Sequence, residues 1–233
     1  MKALSAIAAA VGLIMAQPAG AESIQANGVE LHYTISGSGE PLVLLHGFGS
    51  CAKGWGPIAG ELSKRYRVIA LDARGHGSST NPSGRFTHAQ AAEDVRALLD
   101  RLGIAKARAI GFSSGGMTLL HLATRYPDRL SKMVVIGATT HFGDQARAIM
   151  TSVASEGLPP PIMAMFEQCA ARGPAQARDL VRQFGEFRNS RDDMNFTAAR
   201  LATIKASTLI VHGDRDEFFP VAIPVTMYTS IPK

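Results

Sequence analysis

Five short apolar runs, "PLVLLHG", "YRVIALD", "ARAIGF", "KMVVIGA" and "STLIVHGD", constrain this chain more than any other feature. Each is almost continuous in Val, Ile, Leu and Ala instead of alternating with polar residues. Strands have this composition when helices cover both faces of a parallel sheet. Helix-like segments lie between them, the clearest being "THAQAAEDVRALLDRLG". There Thr87 and Gln90 form a capping-box pattern, Ala92, Val95, Leu98, Leu99 and Leu102 recur at helical spacing, and Gly103 supplies a stop. Strands alternating with helices predict an α/β fold with a mostly parallel, helix-flanked sheet. Ahead of them, Asn27-Gly28 divides "ESIQANGVELHYTISG" into two alternating halves, which predicts an N-terminal β-hairpin.

One interval breaks the alternation. From His141 to Lys205 no strand pattern occurs, and the length is too great for a bare loop. An inserted helical cap over the end of the sheet accounts for it, with Met150, Met163, Met165 and Phe166 as an apolar pocket lining. Ordinary packing helices, with the same residues as core, are the alternative.

The first residues, "MKALSAIAAAVGLIMAQPAGAES", carry one Lys, an uncharged apolar stretch and the small residues Ala19-Gly20-Ala21. This is the pattern of a signal peptide, with cleavage after Ala21 and a secreted or periplasmic destination. The apolar stretch is short for a membrane span, so no stable membrane insertion is expected after cleavage. The expected organisation is therefore a signal peptide at 1–21, a core at 22–140 and 206–233, and the cap at 141–205. Lys and Arg are scattered among acids, which gives no nucleic-acid surface. Cys51 and Cys169 are the only cysteines. Export permits a disulfide, but their wide separation favours two separate thiols.

In open α/β sheets, chemistry gathers at the carboxyl ends of the strands. Four ends here carry unusual residues: "LLHGFGS", "LDARGHGSS", "GFSSGG" and "VHGDRDEFFP". Gly111-Phe112-Ser113-Ser114-Gly115 reads G-x-S-x-G, the turn that lifts a nucleophilic serine above a sheet. With all four motifs in order, nearly the whole mature chain resembles the α/β-hydrolase superfamily, in the group of esterases, proline iminopeptidases and cofactor-free haloperoxidases. The resemblance implies that Ser113 is the nucleophile, that the backbone N–H groups of Phe48 and Ser114 form the oxyanion hole, and that Asp216 is the triad acid. Asp214 and Glu217 are the nearby competitors for that last role. Epoxide hydrolases and haloalkane dehalogenases carry aspartate where this chain has Ser113, so acyl transfer is the implied chemistry. The implied substrate is a small ester-like molecule, with amides or lactones as further possibilities, and no metal or organic cofactor is implied.

The resemblance also places a catalytic histidine after one more strand beyond Asp216, and "FFPVAIPVTMYTSIPK" ends before it. The expectation is a C-terminally incomplete chain, inactive as it stands, without the last strand and helix. "TLIVHGD" would then be an exposed apolar sheet edge. His46, His76 and His212 match structural positions of the family, and His32, His88 and His121 read as packed or solvated. His141, after the strand "KMVVIGA", is the one stand-in base to test. The alternative function is a non-catalytic binding protein of the same fold that lacks the base. The sequence leaves the oligomeric state open.

Overall fold

The computed structural model describes residues 20–232, so the expected signal peptide lies almost entirely outside the described residues. The hairpin comes first. Strands β1 (Gly20–Ala26) and β2 (Val29–Ser36) pair antiparallel. They turn at Asn27 and Gly28, whose φ values of 50° and 77° are the positive pair that a tight two-residue hairpin needs.

The five apolar runs form β3 (Glu40–Leu45), β4 (Tyr66–Leu71), β5 (Ala107–Phe112), β6 (Leu130–Ile136) and β7 (Ser207–Val211). These five are mutually parallel in the order β4-β3-β5-β6-β7, and β2 adds antiparallel to β4. Continuous apolarity in β3 and β4 has a direct cause. Val43, Leu45, Ile69 and Leu71 face the main core, while Leu42, Leu44, Val68 and Ala70 face a second core with Ala52 and Trp55.

For β5 to β7 the expectation of two buried faces is only half met. Ala107, Ala109, Met133 and Val135 are buried, but Leu209 is 59% and Val211 42% exposed. Helix α1 (Gly56–Ser63) packs on β4, and among the described residues β7 is an edge strand. The outer face of β5 and β6, with Arg108, Ile110, Lys132 and Val134, borders an open groove.

Helix α2 (His88–Arg101) begins as its capping pattern predicts, with Thr87 Oγ1 accepting from the Gln90 N–H at 3.1 Å. It packs against α3 (Ser114–Arg125), which leaves the end of β5 and lies on the main core. The 141–205 interval holds α4 (Asp144–Glu156), α5 (Pro160–Gln168), α6 (Pro174–Glu186) and the single turn α7 (Ala198–Leu201), with no strand of the sheet. Helix α8 (Ala222–Ser230) follows β7.

The expectation of two separate thiols is wrong. Cys51 and Cys169 form a disulfide, with their Cα atoms 5.5 Å apart across 118 residues of sequence. Sequence separation says nothing about distance once the C-terminus of α5 docks beside the turn that follows β3.

Candidate active site

Ser113 stands between β5 and α3 at φ 50° and ψ −115°, a backbone conformation that non-glycine residues rarely adopt. The turn is tight because glycines let its arms touch. A Cβ on Gly111 would meet the backbone of Gly115 and Gly116, and one on Gly115 would collide with the carbonyl group of Leu45 at the end of β3. Ser113 Oγ has no hydrogen-bond partner among the described residues.

The N–H of Ser114 is the first of α3 and has no intrahelical acceptor. Phe48 lies in the turn after β3, which is closed by the Ser50 N–H donating to the Gly47 carbonyl at 3.1 Å. His46 makes that turn rigid. Its Nδ1–H donates to the Gly47 carbonyl at 2.8 Å and its Nε2 accepts from the Ala73 N–H at 3.0 Å.

Phe48, Ser113, Ser114 and Asp216 line one cavity of about 280 Å³. Asp216 follows β7, and its Oδ1 accepts from the N–H groups of Phe218 and Phe219, both at 2.8 Å. Asp214 and Glu217 are exposed and do not line the cavity. Most of the wall is apolar: Phe112, Met117, Phe142, Met150, Phe184, Phe187, Phe218 and Phe219. Phe142, Met150, Phe184 and Phe187 come from the 141–205 interval. Met163, Met165 and Phe166 do not line the cavity. Phe166 packs in a small cluster with Ala177 and Leu180, while Met165 is 61% exposed.

No described histidine hydrogen-bonds Ser113 Oγ. His141 is exposed, its Nδ1 lies 3.2 Å from Thr140 Oγ1, and it is not part of the cavity wall. His212 Nε2 donates to the Phe219 carbonyl at 2.8 Å and lies 3.4 Å from Asp216 Oδ2. Burial pushes His46 and His76 below the ordinary imidazole range, His76 to about 3, so both are neutral parts of the framework.

The site also contains a residue that sequence reasoning passed over. His88, at the start of α2, lines the cavity, with its Nδ1 2.7 Å from Asp193 Oδ2. The helix-start position of His88 carried no signal of this, because its partner is 105 residues away.

Residues 40–157, about half of the chain, match the alpha/beta hydrolase fold family. The chain belongs to that family. Over 84% of its length it is 32% identical to human Serine hydrolase BPHL, covering 70% of that protein. It is 29% identical to 2-hydroxy-6-oxo-6-phenylhexa-2,4-dienoate hydrolase of Comamonas testosteroni, over 82% of this chain and 76% of the relative. The enol-lactonase from Burkholderia xenovorans LB400 superposes with a TM-score of 0.73 at 26% identity, covering 90% of this chain and 88% of that one. The α/β architecture built above is therefore an α/β-hydrolase fold. Among the described residues, no helix of this family member is long and apolar enough to cross a membrane.

Proposed function

We propose that this α/β hydrolase cleaves carboxylic esters, with amides and lactones as neighbouring classes, through an acyl-enzyme on Ser113. The observation that carries the reading is Ser113 held at positive φ in a cavity that it shares with Phe48 and Asp216. Ser113 Oγ attacks the carbonyl carbon as its proton passes to an imidazole. The N–H groups of Phe48 and Ser114 receive the oxyanion, and the C–O bond to the alcohol breaks as the imidazolium returns the proton. Water then repeats the sequence and releases the acid. Asp216 orients the imidazole, which the family resemblance assigns to a histidine that follows the acid in sequence. The aromatic wall suits an apolar acyl group. The relatives' printed activities, hydrolysis of a phenyl-bearing dienoate and of an enol-lactone, agree with small-molecule acyl chemistry.

Export is part of the proposal. The leader pattern of residues 1–21 supports it, and so does the Cys51–Cys169 bond, since such bonds persist in oxidising compartments. One observation favours a second reading, a non-catalytic binding protein: no described histidine is bonded to Ser113.

A fluorophosphonate probe distinguishes the two. The protein expressed from its complete reading frame should label at Ser113, and Ser113→Ala should abolish labelling. Absence of labelling in a folded protein would favour the binding protein, and labelling that persists in the variant would remove Ser113 from its role.

A further inference from the structure

Among the described residues, and besides Ser113, Ser114 and Asp216, the cavity wall contains one polar side chain, that of His88. It is 1% exposed and lies among rings, with centroids 5.3 Å from Phe86, 6.1 Å from Phe142 and 5.3 Å from Phe187. Its orientation is set by Asp193. Oδ2 of that carboxylate accepts from His88 Nδ1 at 2.7 Å and from the His88 N–H at 2.8 Å, while Oδ1 accepts from the Ala89 N–H at 2.9 Å.

Asp193 is held in turn by His121, whose Nε2–H donates to the Asp193 carbonyl at 2.6 Å. Arg200 donates to the other ring nitrogen of His121 at 3.2 Å. Burial of Asp193 favours its neutral form, but the His88 ring and the two N–H groups outweigh this and hold its carboxyl at about 2. An ionised carboxylate only accepts hydrogen bonds, so His88 Nδ1 carries a proton and donates to it, and in the neutral form of the ring that tautomer leaves the lone pair on Nε2.

That nitrogen has no partner among the described residues. It is also absent from the polar atoms sealed inside the fold, such as His76 Nε2 and His212 Nδ1, so it remains open to the cavity. Asp193 has a sufficient structural role, because it caps the first two N–H groups of α2 from the 141–205 interval. Capping does not explain why the ring at position 88 leaves a nitrogen unpaired in the wall of an aromatic cavity, where such a group is costly unless a ligand pairs with it.

We propose that His88 Nε2 is a substrate-recognising acceptor, which takes a hydrogen bond from a hydroxyl or amide N–H on an ester whose apolar body fills the aromatic cavity. The inference rests on the ester-hydrolase reading of Ser113 and adds the class of substituent that the site selects. The 141–205 interval thereby contributes to specificity through Asp193 as well as through its apolar side chains.

The test measures equilibrium binding in the Ser113→Ala chain, which cannot turn a ligand over. Methyl mandelate and methyl phenylacetate differ by one hydroxyl group. The mandelate ester should bind about five- to tenfold more tightly, the worth of one hydrogen bond. His88→Phe keeps an aromatic ring and removes the acceptor, and it should bring the two affinities together. Equal affinities before the substitution, or a preference that survives it, would overturn the proposal.

Should His88→Phe fail to fold, nitrogen-15 spectra of the imidazoles in the Ser113→Ala chain give the same answer. Methyl mandelate should shift the His88 Nε2 resonance and methyl phenylacetate should not, and no difference between them would overturn the proposal. Fluorophosphonate labelling separates the two readings. Labelling at Ser113 without a ligand preference removes the role of His88 alone, and a preference without labelling removes only the hydrolase reading.

Discussion

Cys51 and Cys169 join the turn after β3 to the C-terminus of α5. The bond lies next to a contact of the same kind, in which Phe166 of α5 packs over Gly49 so closely that a Cβ there would overlap its ring. Phe48, whose N–H we assign to the oxyanion, immediately precedes these two attachments. The disulfide thus fastens the helical interval to the loop on which catalysis would depend.

Removing this tether releases a loop of 118 residues in the unfolded chain. Cys51→Ser combined with Cys169→Ser should lower stability by about 2–5 kcal/mol. Denaturant midpoints measured on oxidised, reduced and double-substituted protein check this, and the last two should coincide. An unchanged midpoint would mean that the 141–205 interval is held without the bond.

Acid should destabilise the fold in two stages. His121 is held near 4 and His76 near 3, both chiefly by burial, against an ordinary imidazole value of 6.5. Below about pH 6.5 the unfolded chain takes up protons that these rings cannot accept in the fold. Their contribution is complete above that pH and is lost on descent to about 4 and 3. Asp193 is held at about 2 instead of 3.8, so its contribution is present above 3.8 and disappears toward 2. Each histidine should add a slope on the order of 1.4 kcal/mol per pH unit within its window. Urea unfolding at pH 7, 6 and 5 reads the first stage, and His76→Phe should flatten it. An identical slope in that variant would exclude His76 as a source.

The acidic loop after β7 offers a contrast between close neighbours. Asp216 lines the cavity and is partly buried, whereas Asp214 is exposed. In protein from the complete reading frame, Asp216→Asn should lower kcat by about 10³–10⁴-fold, since the imidazole would lose its orienting carboxylate. Asp214→Asn should stay within about threefold, as a surface substitution away from the site. Comparable losses in both variants would reassign the acid.

Two glycines test how far packing defines the turn at Ser113. A Cβ at Gly115 meets the backbone of Leu45, while one at Gly213 meets nothing within 4 Å. Gly115→Ala should cost about 3 kcal/mol or prevent folding, and Gly213→Ala should fall within about 0.5 kcal/mol of the parent. Thermal unfolding of the two variants side by side decides the matter.

The legible features were those set by neighbouring residues. Asn27-Gly28 specifies its own turn, Thr87 caps its own helix, and the run from Leu42 to Leu45 reports two buried faces because alternate side chains enter different cores. Gly111, Ser113 and Gly115 reveal the strand-to-helix turn because its crowding is local. The sequence by itself therefore determined the alternation of strands and helices, the turn at Ser113 and the family.

Contacts between distant residues were decided only by the tertiary structure. The Cys51–Cys169 bond spans 118 residues and the His88–Asp193 pair 105, and no periodicity records either. The open face of β5 to β7 likewise depends on which helices cover it. That Asp216 lines the cavity and Asp214 does not follows from how one loop folds around its own N–H groups. Local backbone preference acts over a few residues, and side chains that far apart acquire partners only when the sheet and its helices bring them together.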